Sequence, residues 1–199
     1  MTPLLTGVFA SQISGHLDTF SPTGSYDALA TYTVPSGGVS SVTFGAIPTD
    51  GQYSHLQIRY FIPSTPSAGD NIYMRLGNGS IDTSSSYAWH NIAGYGGGSI
   101  GSSAESSVTL MRLLYQNITE AAAFPVSGVV DILDYASTTK TKVVRTLTGR
   151  DANSTTSAWS VISLMSGLWN NTSPVTTFNI TYGGGNLPQN TIVSVYGVR

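Results

Sequence analysis

The chain is predicted to be all-β, an antiparallel β-sandwich of jelly-roll type preceded by an irregular N-terminal arm. Three observations point there. From Tyr26 onward apolar and polar residues alternate with period two, as in Leu56-Gln57-Ile58-Arg59-Tyr60. Turn-forming clusters interrupt these runs at Ser36–Gly38, Asp50-Gly51, Pro63–Asp70, Gly77–Ser80, Gly94–Ser103 and Gly183–Asn186. Only Glu120–Phe124 has helical composition, and Pro125 ends it after one turn. The crossover helices of a parallel α/β sheet are therefore missing.

Residues 1–25 contain Pro3, Gly7, Gly15, Pro22 and Gly24 and show little periodicity, so they read as the arm. Leu4, Leu5, Val8 and Phe9 are too apolar for a purely solvated tail, and a docked arm is weighed evenly against a disordered terminus. Residues 26–199 then form one sandwich domain. Its expected strands are Asp27–Val34, Val39–Ala46, His55–Ile62, Ile72–Leu76, Tyr87–Gly94 and Ser107–Leu114 in the first half. Ser127–Leu133, Lys142–Thr148, Ala158–Met165, Thr176–Tyr182 and Ile192–Gly197 follow. In the second strand Val42, Phe44 and Ala46 should share the core face. Two packed sheets of four or five strands each account for the set.

The segment 131–147 stands out because only 9% of the 199 residues are charged. Val130, Ile132 and Leu133, a polar turn over 136–140, then Val143, Val144 and Leu147 read as a hairpin. Asp131 and Asp134 on its first arm and Lys140, Lys142 and Arg145 on its second set the register through opposite charges. Asp131, Asp134, Lys142 and Arg145 are thus expected to be a structural charge cluster.

Net charge is −2, without a basic block, which argues against nucleic-acid binding. No apolar run approaches membrane-spanning length, and the first ten residues lack the basic start of a signal peptide. With no cysteine, disulfides and thiolate metal sites are excluded. Gly97–Gly101 matches a nucleophile elbow around Ser99, but a Gly/Ser loop is not the strand–helix context that motif needs. His16, His55 and His90 are isolated, and the latter two are read as core-edge residues satisfied by backbone carbonyls. Asp131 and Asp134, three apart on a strand, should face opposite sides and cannot share a substrate. Asp151-Ala152-Asn153 lacks the rest of a calcium loop. No catalytic residue, cofactor or metal is assigned. Trp89 and Trp169 are read as core. Tyr95 and Tyr182, each followed by three glycines, are candidates for contact with a protein or glycan, with a plain connector favoured for each loop.

The ordered motifs Ser41–Pro48, Tyr53–Arg59, Ile72–Gly79, Tyr87–His90, Val130–Ala136, Lys142–Leu147, Ser166–Trp169 and Val195–Arg199 carry a resemblance. Over roughly residues 30–199 the chain resembles a family of tailed-bacteriophage virion structural proteins. The resemblance implies a β-sandwich assembled in the host bacterial cytoplasm, with no catalytic residues to carry over. It implies as partners the major capsid protein or sister subunits in a homo-oligomer, commonly a trimer for sandwiches of this size. Two places on the virion fit. One is the capsid exterior, as a cement or decoration protein whose arm, through Leu4, Leu5, Val8 and Phe9, crosses neighbouring capsomers. The other is a tail or fibre, as an adhesion module contacting a host glycan through the Tyr95 and Tyr182 loops. The first is favoured because no shaft repeat is present. The contrasting class, a polysaccharide depolymerase, would need clustered carboxylates, and the ten acidic residues are mostly dispersed.

Overall fold

The computed structural model describes residues 25–63, 71–114, 124–153, 155 and 160–199. The arm except its last residue, Ser25, with His16 in it, and Glu120–Phe124 except its last residue lie outside them. The strands are β1 (Tyr26–Thr33), β2 (Ser41–Phe44), β3 (His55–Ile62), β4 (Ile72–Asn78), β5 (Ser80–Ile81), β6 (Tyr87–Tyr95) and β7 (Ile100–Val108). Then come β8 (Met111–Leu114), β9 (Val126–Leu133), β10 (Lys142–Arg150), β11 (Val161–Trp169), β12 (Thr177–Tyr182) and β13 (Ile192–Val198). All pairings among them are antiparallel. The larger sheet has eight strands in the order β1-β13-β3-β9-β10-β11-β6-β7. The smaller has five, β2-β12-β4-β5 with β8 also on β4. The sandwich is as expected, but its two layers are unequal.

Three departures have local causes. The Gly/Ser run after β6 is a strand, not a loop: β7 pairs along β6 from Tyr87 to Gly94. A tight turn at Gly96–Ser99 joins them, with Tyr95 N–H donating to Ser99 O at 2.9 Å and Gly98 at φ +78°. As an edge strand with mostly exposed side chains, β7 carries no apolar alternation to read. The run 107–114 bends between sheets. Ser107 adopts φ +54°, and the chain leaves β6 and crosses to β4 as β8. After Phe44 the chain turns at Ala46 (φ +53°), so Ile47 instead of Ala46 enters the core.

The core lies between the sheets. Leu56, Ile58 and Ile62 of β3 and Val130 and Ile132 of β9 are buried on one side. Ile72, Met74 and Leu76 of β4, Phe178 and Ile180 of β12, and Met111 and Leu113 of β8 are buried on the other. Phe44 and Phe178 stack at 5.1 Å between centroids. Gly197 is required by close packing, since a Cβ there would come within 2.4 Å of the Tyr53 ring.

Polar ties join the layers. Asp82, just after β5 in the small sheet, accepts from Trp169 Nε1–H of β11 at 2.7 Å. It also accepts from the Ser84 N–H at 2.8 Å and from the Ser84 and Ser86 hydroxyls at 2.5 and 2.6 Å. The Tyr87 hydroxyl on β6 accepts from Leu76 N–H and donates toward the Leu76 and Asp82 carbonyls. Thr148 of β10 donates to Leu113 O of β8 at 3.1 Å and shares a hydrogen bond with Tyr60. Burial would raise the Asp82 carboxyl, but the bonds from Ser84, Ser86 and Trp169 outweigh it and hold the group well below the usual carboxylate range.

Replacing Asp82 by Ala would orphan the Trp169 indole N–H and cost about 2–3 kcal/mol of stability. The pH sign follows from the lowered folded-state value. The unfolded chain takes up the proton near pH 4, while the folded chain resists, so this contribution is full above about pH 4 and declines as pH falls below it. Urea midpoints of wild type and Asp82→Asn at pH 6 and pH 3 should therefore converge at the lower pH. An unchanged gap would mean that the Asp82 carboxyl takes up its proton alike in the folded and the unfolded chain, and that its hydrogen bonds do not favour the ionised form.

Candidate functional site

The outward face of the eight-stranded sheet is built by β9, β10, β11, β6 and β7. Antiparallel pairing places their outward residues in cross-strand rows. One row is polar: Gln57, Asp131, Arg145, Ser166 and His90 lie side by side. The next runs Arg59, Val129, Leu147, Leu164, Ile92 and Ser102 and is apolar at its four central positions. The third runs Phe61, Ser127, Gly149, Ile162, Gly94 and Ile100. Leu147, Leu164, Ile92, Ile162 and Ile100 are each between 52% and 78% exposed.

The same strands bury polar side chains on their inward face. Thr146, Thr148, Ser163 and Asn91 are buried, with Ser163 donating to Asn91 Oδ1 at 2.6 Å. The usual order is thus inverted over most of β10 and, in β11, at Ile162–Leu164, where Ser163 lies inside between two outward aliphatics. Isolated exposed aliphatics are ordinary; a contiguous set across neighbouring strands marks an interaction surface. Hydropathy alternation cannot reveal this inversion, because Val143-Val144 and Ile162–Leu164 read equally well in either register.

Two clefts lie on this face, one on each side of Ile162. The larger, about 720 Å³, is lined by Gly94, Tyr95, Ser127, Gly149, Arg150, Asp151, Ser160 and Ile162 among others. The smaller, about 440 Å³, is lined by Arg59, Gly128, Val129, Leu147, Gly149 and Ile162 among others. Their floors are open because Gly149 and Gly94 project no side chain. Tyr95 leans over Gly101, where a Cβ would meet its ring at 3.0 Å. Asp151 Oδ1 closes a local turn, accepting from Asn153 N–H at 2.7 Å and the Ser160 hydroxyl at 3.2 Å.

The sequence-selected residues separate. Tyr95 lines the larger cleft, whereas Tyr182 ends β12 inside the core at 5% exposure and presents no contact surface. Leu4, Leu5, Val8 and Phe9 lie outside the described residues. Asp131 and Arg145 face each other across β9 and β10 with 3.5 Å between charged atoms, and Gln57 donates to Asp131 at 3.0 Å. Asp134 is not on a strand. It sits in the turn at φ +48° and pairs with Lys140 at 2.7 Å, and Lys140 holds its carboxyl below the ordinary value. His55 Nδ1 accepts the Asp134 backbone N–H at 2.9 Å, so its partner is a donor and not the expected carbonyl. His90 is exposed on the polar row instead of at a core edge. Ser99 sits in the β6–β7 hairpin turn, between two strands and not before a helix.

Lys142 is the surprise of the charge cluster. It is fully buried, and its ammonium donates to Ser137 O at 2.8 Å, Lys140 O at 2.6 Å and Thr172 O at 3.1 Å. All three N–H bonds are used, on carbonyls instead of a carboxylate. Lys142 therefore ties the β9–β10 turn to the segment after β11. Lys142→Met keeps the apolar stem but leaves three carbonyls without that donor, and should cost about 2–4 kcal/mol in urea unfolding. Arg145→Ala removes only an exposed pair and should cost under about 1 kcal/mol. A Lys142→Met protein as stable as wild type would show that the turn does not need the ammonium.

No family model and no curated protein matches the chain. Among solved structures, an alginate lyase Aly36B variant in complex with alginate trisaccharide has 9% identity and a TM-score of 0.33, covering 87% of this chain and 88% of that one. Another variant of that lyase, with alginate tetrasaccharide, has 11% identity and a TM-score of 0.27, covering 82% and 79%. The catalytic domain of PdAgaC has 7% identity and a TM-score of 0.21, covering 88% and 76%. Likenesses at this level carry no argument about what this chain does.

Proposed function

We propose that the chain is a non-catalytic structural protein of a tailed-bacteriophage virion, mounted on the capsid exterior as a cement or decoration protein. The observation that carries the assembly role is the apolar outer face of the eight-stranded sheet, with Leu147, Leu164 and Ile92 in one cross-strand row and Ile162 and Ile100 in the next. Neither sheet of the sandwich covers it, and it suits burial against protein. The ordered motifs of residues 30–199 direct that assembly role to a virion. A cement protein works by adding buried area between capsomers, and aliphatic surface supplies roughly 25 cal/mol per Å² removed from water.

A second reading, a tail or fibre module contacting a host glycan, is favoured by one feature. Tyr95 stands beside a cleft whose volume of about 720 Å³ falls in the range of ligand sites. An aromatic ring next to Ser127, Ser160 and Asp151 offers stacking together with hydrogen bonds.

Quantitative mass spectrometry of purified virions, scaled to the major capsid protein, separates the two. The decoration role expects a copy number approaching that of the capsid protein. A few copies per particle would move the protein to the tail, and absence from the particle would end both readings. Release of new reducing ends from host surface polysaccharide by the purified protein would overturn the non-catalytic assignment.

A further inference from the structure

We propose that the outer face of the eight-stranded sheet binds a second copy of this chain, face to face, about a two-fold axis running along the strands between β11 and β6. The inference deepens the assembly reading above by naming the occupant of that face.

The first argument is shape. In the third row Gly149, Ile162, Gly94 and Ile100 occupy β10, β11, β6 and β7, the order of the strands in the sheet. Two positions lack a side chain and two carry an exposed isoleucine, so the row reads hollow, ridge, hollow, ridge. Reversed, it reads ridge, hollow, ridge, hollow. A two-fold along the strands performs this reversal. Ile162 of each copy then enters the hollow at Gly94 of the other, and Ile100 the hollow at Gly149. In the neighbouring row the same rotation sets Leu164 against Ile92. Few surfaces are self-complementary in this way, and an isologous interface needs one that is. Aligned sheets packing about 10 Å apart leave room for such interdigitation.

The second argument is area. Five aliphatic side chains at these exposures present on the order of 600 Å², at the top of the patch range for ordinary monomers and near the ~800 Å² per partner of a stable interface. The third is charge. On the four strands that overlap, β10, β11, β6 and β7, the apolar rows contain no charged side chain; Arg59 ends the middle row on β3, outside the overlap, and the polar row beside them holds Asp131 already facing Arg145. Two copies can approach without burying an uncompensated charge or opposing like charges.

Sedimentation velocity on the full chain at about 50 μM should show a dimer that dissociates on dilution. Ile162→Lys would bury a charge at the interface and should raise the dissociation constant by about 100-fold or more. Gly94→Leu is the sharper test, because it adds apolar surface while filling the hollow. A Cβ at Gly94 meets only the Ile162 methyl, at 3.5 Å, so the fold should accept it, with unchanged circular dichroism and melting temperature. It too should weaken the dimer. A full chain that stays monomeric overturns the proposal. So does a dimer that Gly94→Leu leaves intact, since the ridges would not then interdigitate. Dimerisation only after deletion of residues 1–24 would also overturn it and name the arm as the occupant. A protein monomeric in solution but abundant on the virion would sink this inference and leave the virion role standing.

Discussion

The hydrogen bond from the Trp169 indole to Asp82 is the contact on which the sandwich most depends. The chain has no cysteine and few charges, so disulfides cannot hold its two layers and salt bridges contribute little. Apolar burial drives the layers together but does not fix their alignment, because it has no direction. Asp82 supplies direction. It belongs to the small sheet, yet it fixes the end of β11, the strand between β10 and β6 in the large one. Ser84 and Ser86 satisfy its remaining oxygen sites, so the partly buried charge is compensated. Tyr87, next to Trp169 across the β6–β11 ladder, repeats the device by bonding to Leu76 and Asp82 backbone.

That anchoring has a consequence along β11 and in the neighbouring strand β10. With Trp169 inward, period-two alternation forces Met165, Ser163 and Val161 inward and Leu168, Leu164 and Ile162 outward. Pairing to β10 sets Lys142 opposite Trp169. Lys142 must then lie inside, followed by Val144, Thr146, Thr148 and Arg150. A buried ammonium is costly unless its bonds are met, and the three carbonyls of Ser137, Lys140 and Thr172 meet them. A slip of one residue would bury Leu147 and Leu164 but would expel Trp169 from Asp82 and Lys142 from its carbonyl cage. The polar anchors therefore select a register that hydrophobicity by itself would not choose.

This explains which parts of the molecule were legible from residues alone. β3 was readable because Leu56, Ile58 and Tyr60 alternate cleanly with polar residues and are all buried. The β9–β10 hairpin was readable from its charges, and Asp131 does face Arg145. β7 was not, because an edge strand of Gly, Ser and Ala buries little and leaves no periodic trace. The faces of β10 and β11 were not, because aliphatics flank both sides and the deciding bonds come from residues distant in sequence. Asp82 and Trp169 are separated by 87 positions. Tyr182 misled for a related reason: three glycines follow it and suggest a loop, yet its ring belongs to the last core position of β12. The outer-face rows exist only through pairings between strands, so no single segment announces them.

The price of this register is an aliphatic surface in water on a chain with little charge to keep it dispersed. Stability cannot be the reason for it. Leu147, Leu164 and Ile162 gain little from folding while more than half exposed, and polar replacements there would leave the Asp82 and Lys142 anchors untouched. Nor does the edge need protection by apolar bulk, since Ser102 and Ala104 already make β7 a poor template for further hydrophobic pairing. What the surface does offer is burial that becomes available only on association. The fold spends internal hydrogen bonds to hold its sheets, which leaves a set of aliphatic side chains free to serve a neighbour. In the virion role proposed above, where local concentration would be high and geometry would repeat, even a modest surface of this kind would be multiplied over many contacts.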